Sequence, residues 1–195
     1  GDTCFAVAAN NITLDCKGYE INYSQSSIGY GVRVPGYNST TIKSCNIVQG
    51  SSTPSFAYGI YILRNATNNA AYNNTITTYG DDSVGIALDA VINTSVYSNN
   101  ITTNSTDSYG ARLFATAFNN SVYSNIITTS GGSGHGILLD NIAYNNSVYS
   151  NVILTNGSSA HGIKLDTNVW NNSVFSNNIT TNGTTAHGII LTTTV

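Results

Sequence analysis

Charged side chains are scarce in this chain: 8% of its 195 residues are Asp, Glu, Lys or Arg, six basic against nine acidic, for a net charge of −3. Such a balance offers no basic field to nucleic acid or anionic lipid, and neither is expected as a partner. Long apolar runs are missing too. The uncharged stretch from Leu113 to Leu139 is broken repeatedly by Asn, Ser, Thr and Gly, so no membrane insertion is expected. Cysteine is confined to Cys4, Cys16 and Cys45, with no CxxC or Cys/His spacing. That leaves room for one disulfide, for which Cys4 with Cys16 is the expected pair, and weakly favours an oxidising compartment. The segments are also poor in the Ala, Leu, Glu and Lys that long helices prefer. No signal peptide is visible, and a chain starting at Gly1 is compatible with a mature secreted product.

What the sequence does contain is a repeat. Tripeptides centred on Gly31, Gly59, Gly85, Gly110, Gly136, Gly162 and Gly188 recur at spacings of 28, 26, 25, 26, 26 and 26. A second block keeps the same beat: INTSVYSNNI from Ile92, FNNSVYSNII from Phe118, YNNSVYSNVI from Tyr144 and WNNSVFSNNI from Trp170. After each marker glycine, apolar residues alternate with variable ones, which is a strand pattern. A period near 26 is too short for two helices and fits three short strands joined by bends, with Ser-Asn pairs such as Ser98-Asn99 as one bend. The expected fold is therefore all-β, a right-handed parallel β-helix of about eight coils forming one domain over residues 1–195. Equivalent side chains stack in such a solenoid, and Asn99, Asn125, Asn151 and Asn177 are expected to form a buried amide ladder.

The unit GI-x-L followed by NNS-V-Y-SNN-I resembles the parallel β-helix repeats of the carbohydrate-binding and sugar-hydrolase superfamily, which includes pectate lyases, polygalacturonases and NosD-like proteins. The resemblance covers nearly the whole chain. It implies the fold but not one activity, because the same coil carries lyases, hydrolases, adhesins and inert spacers.

Four groups of residues are candidates for chemistry. Asp140 and Asp166 sit in neighbouring coils, with Asp89 as their earlier counterpart, and form a conceivable glycosidase pair; the other reading is solvated aspartates at a strand end. Asp81, Asp82 and Asp107 fall in equivalent loops, where loop solvation competes with calcium binding. His135, His161 and His187 stack in register as a candidate metal ladder, but Tyr30, Tyr58 and Tyr109 occupy the same position elsewhere, which favours a structural stack of flat rings and no metal. Tyr72, Tyr97, Tyr123, Tyr149 and Phe175 form an outward aromatic stripe, either a surface for sugar rings, glycans or a neighbouring molecule, or a device that stiffens the sheet. Arg112 and Lys164 lie two coils apart and receive no catalytic role.

Asn-x-Ser/Thr occurs fourteen times, at Asn11, Asn22, Asn38, Asn65, Asn73, Asn93, Asn100, Asn104, Asn119, Asn145, Asn156, Asn171, Asn178 and Asn182, where about seven are expected by chance from 28 Asn and 48 Ser plus Thr. Attached glycans would keep an uncharged surface soluble. The chain enters the coil pattern at once, with Phe5 and Val7, and stops after Leu191 with no polar cap, which suggests head-to-tail self-assembly or a piece of a longer chain. The leading expectation is a secreted or cell-surface, N-glycosylated structural protein with no cofactor and no enzymatic activity. The alternative is a carbohydrate-binding or carbohydrate-cleaving β-helix.

Overall fold

The computed structural model describes residues 3–50 and 54–192. Among these residues every regular element is a strand, and all strand pairs are parallel. The strands fall into three sheets of eight, seven and seven members. One coil consists of Ile86–Asp89 in sheet 1, Ser95–Tyr97 in sheet 2 and Asn100–Thr103 in sheet 3, after which the chain re-enters sheet 1 at Ala111–Phe114. The expected parallel β-helix is present, with seven three-strand turns and an eighth strand, Ile189–Thr192, in sheet 1. Residues 193–195, where the expected end-to-end contact would begin, lie outside the described residues.

Register explains the repeat. Ile101 pairs with Ile76 on one side and Ile127 on the other, and Val96 lies between Ala71 and Val122. Each inward residue is therefore covered above and below by its counterpart in the next coil. Ile76, Ile101, Leu88, Leu113 and Val122 are fully buried, and shortening one such isoleucine or leucine to Ala costs about 2–5 kcal/mol. The marker glycine is required where the coil turns into sheet 1: a Cβ on Gly85 would press on Ile101 Cγ2 and stand 2.6 Å from the Gly110 carbonyl oxygen.

The bend between sheets 2 and 3 is made by serines in the left-handed region, with φ of 54° at Ser98 and Ser124 and 56° at Ser150. The asparagine after each serine turns inward and forms the expected ladder. Asn99 Nδ2 donates to Asn125 Oδ1 at 3.0 Å and to the Ala71 carbonyl at 2.9 Å, and Asn125 repeats this toward Asn151. Asn74 extends the ladder by one coil and Asn177 closes it. A second ladder runs through Asn120, Asn146 and Asn172 at 3.0 and 3.1 Å, at the bend between sheets 1 and 2. Both ladders place amides where apolar side chains would leave buried backbone groups unpaired.

The disulfide differs from the expected one. Cys16 is bonded to Cys45, and Cys4 is a free, exposed thiol. Cys16 and Cys45 follow the paired strands Thr13–Asp15 and Thr41–Lys43 at the same bend, with Cα atoms 4.7 Å apart, so one coil stacks directly on the next. Cys4 precedes a strand of sheet 1, on another side of the coil.

Candidate functional site

The three outer faces differ in chemistry. From Asn65 to Thr192 the charged residues are Asp81, Asp82, Asp89, Asp107, Arg112, Asp140, Lys164 and Asp166, and every one lies on sheet 1 or in a segment flanking its strands. His135, His161 and His187 fall there too. Over the same span the strands of sheets 2 and 3 carry no charge at all, only Ser, Thr, Asn, Tyr, Phe and aliphatic residues.

On sheet 1 the residue between the two inward positions faces out. Tyr61, Ala87 and Arg112 occupy this position in three successive coils and are paired in register. Ala87 is fully buried, so the larger side chains on either side close over it. Tyr61 reaches across to donate its hydroxyl proton to Asp89 Oδ2 at 2.7 Å. Arg112 makes the same diagonal step to Asp140, with Nε to Oδ1 at 3.1 Å and Nη2 to Oδ2 at 2.6 Å. Its guanidinium also lies 4.4 Å over the Phe114 ring and 5.8 Å over Tyr109. Tyr30, Tyr58 and Tyr61 meet at centroid distances of 5.0–5.7 Å with interplanar angles of 38°, 52° and 88°, so their faces are not spent on parallel stacking.

Electrostatics follow from this crowding. Burial raises the Tyr58 hydroxyl above the ordinary tyrosine value, pushes that of Tyr61 well above it with reinforcement from its bond to Asp89, and pushes Tyr109 to about 12. Partial burial raises the Asp82 carboxyl, with further contributions from Asp107 and Asp81. These tyrosines are therefore neutral donors at physiological pH, set among carboxylates.

The other sequence candidates are placed as follows. Lys164 holds Asp166 at 2.8 Å, and its hydrogen bond and charge depress the Asp166 carboxyl against the opposing effect of burial. Asp140 and Asp166 are thus each tied to a cation, whereas a retaining glycosidase pair needs one carboxyl protonated. His135 Nδ1 accepts from the His161 backbone N–H at 3.1 Å, and His161 Nδ1 from that of His187 at 3.0 Å. Both Nδ1 atoms are committed to the backbone. Among the described residues no three His, Cys, Asp or Glu side chains group to hold a metal ion. Ser105 bonds Asp81 in the acidic loops.

The stripe of Tyr72, Tyr97, Tyr123, Tyr149 and Phe175 is outward and in register, with centroids 4.8–5.0 Å apart and planes within 10° of parallel. Each interior ring spends both faces on its neighbours, so edges and hydroxyls are what it offers to solvent. A second stack, Phe118, Tyr144 and Trp170, is built the same way. Of the sequon asparagines, Asn93, Asn119, Asn145 and Asn171 are exposed at left-handed bends, and Asn104, Asn156 and Asn182 are exposed in the loops before sheet 1.

Sequence reasoning missed the two diagonal pairs. The signal was present, because Tyr61 to Asp89 and Arg112 to Asp140 are both separations of 28 residues, two more than the common spacing of the repeat.

No family model matches the chain, and no curated protein matches it. Among solved structures it is similar to a periplasmic alginate epimerase, AlgG, at 16% identity and a TM-score of 0.55, over 88% of this chain and 44% of that one. It also aligns with the enzymatically active domain of tailspike protein 2 of bacteriophage CBA120 at 11% identity and a TM-score of 0.33, over 86% of this chain and 38% of that one. The chain therefore spans less than half the length of either protein. The expectation of a protein without enzymatic activity is corrected by the first of these, an epimerase that shares the fold over most of the chain. The likeness to the epimerase is one of fold.

Proposed function

We propose that this chain is a carbohydrate-acting β-helix and that a polysaccharide lies along the outer face of sheet 1. The observation that carries the reading is the confinement of charge and histidine to that face from Asn65 onward, together with the tilted tyrosines Tyr30, Tyr58 and Tyr61. Sugar recognition uses aromatic rings against C–H faces and carboxylates or guanidinium groups against hydroxyls, and both are adjacent here. The epimerase supports the same reading, since its name places a polysaccharide substrate on this fold. The site's own groups are the neutral hydroxyl of Tyr109 as donor, the ring of Tyr61 with its hydroxyl proton on Asp89, Asp89 as acceptor, and Arg112 held in place by Asp140.

Affinity electrophoresis through gels containing polysaccharides tests the reading. Retardation of the wild-type chain that is lost in Tyr61→Ala and kept in Tyr123→Ala supports it. Loss in Tyr123→Ala alone would move the site to the aromatic stripe.

The same reading places the protein outside the cytoplasm, where the Cys16–Cys45 disulfide persists and where exposed loop sequons such as Asn104, Asn156 and Asn182 carry glycans. Glycopeptide mass spectrometry of the naturally produced protein tests this; fourteen bare sequons would overturn the glycan assignment.

A further inference from the structure

We infer that the outer face of sheet 1 carries an anion subsite at Arg33, which takes the carboxylate of an acidic sugar at the end of the face nearest the first coils. The inference rests on the reading of this face as a glycan site and names the kind of sugar that one part of it selects. Arg33 is an outward, partly exposed residue of Val32–Pro35, in register with Ala6 in the coil before it and Tyr61 in the coil after it. Elsewhere on this column an outward donor finds its acceptor within the protein. Tyr61 and Arg112 each reach one coil across and two residues along, to Asp89 and Asp140, and Lys164 takes Asp166 two residues along its own strand. For Arg33 the first of these positions is Leu63 and the second is Pro35. Neither side chain can accept a hydrogen bond, and Arg33 has no ion partner among the described residues.

A guanidinium fork matches a carboxylate through two parallel hydrogen bonds, as Arg112 does with Asp140. At Arg33 the carboxylate has to come from a ligand. Tyr30, three residues earlier, and Tyr58 and Tyr61 of the next coil form the tilted cluster beside it, so the ring of the same sugar packs on an aromatic face while its carboxylate meets the fork. The small side chain of Ala6 leaves the guanidinium open on the side away from Tyr61. Charge is also divided along the solenoid. Arg64, exposed just past Ile60–Leu63, adds a positive charge at the Arg33 end, whereas Asp81, Asp82, Asp89 and Asp107 belong to the stretch beyond Tyr61. A bound chain therefore sets its acidic unit at Arg33 and uncharged units farther along. An uncharged chain still packs on the rings but lacks one charge-assisted pair.

The test uses affinity electrophoresis with polygalacturonate and its fully methyl-esterified form, which share a backbone and differ in the carboxylate, and with dextran sulfate beside dextran. Wild type is compared with Arg33→Gln, Arg33→Lys and, as a control for lost charge, Lys17→Gln at an exposed bend away from sheet 1, each checked for folding by thermal melting. Wild type is expected to bind polygalacturonate about tenfold more tightly than the ester, the scale of one charge-assisted pair, with the difference shrinking as salt is raised. Arg33→Gln is expected to bind both forms as wild type binds the ester. Arg33→Lys, which keeps the charge without the fork, should lose most of the difference, and Lys17→Gln should keep it. Equal wild-type affinity for acid and ester would overturn the subsite while leaving the glycan site standing, and a folded Arg33→Gln that keeps the preference would overturn the role of Arg33. A preference confined to dextran sulfate over dextran would overturn the uronate in favour of a sulfated sugar, and binding to none of the four probes would overturn both readings.

Discussion

Arg112 and Asp140 lie 28 residues apart and meet through two parallel hydrogen bonds, one coil across and two residues along the strand. Tyr61 and Asp89 meet by the same step. Coils two apart thus display the same diagonal contact with different chemistry. With side chains 27% and 16% exposed, the ion pair is sheltered enough that breaking one partner leaves a charge unsatisfied. Arg112→Ala is expected to lower the melting temperature and weaken glycan retention together, whereas Arg112→Lys keeps the charge, loses the fork, and lowers retention more than stability. Melting curves read beside affinity electrophoresis check both outcomes.

The asparagine ladder predicts a local and large cost. In Asn125→Ala the backbone N–H and Nδ2 of Asn99 lose their acceptor, and the Val96 carbonyl loses its donor. Each buried group left unpaired costs about 1–3 kcal/mol, so a loss of roughly 2–4 kcal/mol is expected in urea unfolding. Asn104→Ala, at an exposed loop position, should leave the transition unmoved within about 0.5 kcal/mol.

Acid should weaken the fold through the histidine stack. Burial, with smaller effects from His161 and Lys164, lowers the His135 pKa from 6.5 to about 4. The unfolded chain therefore binds a proton that the folded chain refuses, so this contribution is fully present above pH ~6.5 and is lost as pH falls through about 4. Its size is on the order of 3–4 kcal/mol at about 1.4 kcal/mol per unit. His135→Tyr, the residue found at the equivalent Tyr109, is expected to flatten the melting profile between pH 6.5 and 4. An unchanged slope would assign the acid sensitivity to other groups.

Most of the architecture could be read from the sequence because a solenoid repeats its own reasons. Gly85 marks a turn where no Cβ fits, Ile101 fills a column shared with Ile76 and Ile127, and Asn99 occupies the same inward corner as Asn125. The disulfide was less legible, since three cysteines allow three pairings and only the coil register brings Cys16 over Cys45. The site was the least legible. Outward residues vary from coil to coil, so the pairing of Arg112 with Asp140 appears only once neighbouring coils are laid side by side. The stripe of Tyr97 and Tyr123 was prominent for its periodicity, yet rings 5.0 Å apart and 7° from parallel turn their faces to one another.

The disulfide offers a direct check. Non-reducing peptide mapping should recover Cys16 joined to Cys45, and iodoacetamide should label Cys4 alone in the native protein, in keeping with its exposure. Closing 29 residues contributes about 3–4 kcal/mol in the chain-entropy treatment, so reduction should lower the unfolding midpoint measurably.

The most direct test of the glycan site is hydroxyl-radical footprinting of the protein with and without galactomannan, read tyrosine by tyrosine. Protection at Tyr58, Tyr61 and Tyr109, with Tyr97, Tyr123 and Tyr149 oxidised as before, is the result expected of a chain lying along sheet 1. Protection confined to Tyr97, Tyr123 and Tyr149 would contradict it and place the sugar on the stacked stripe of sheet 2.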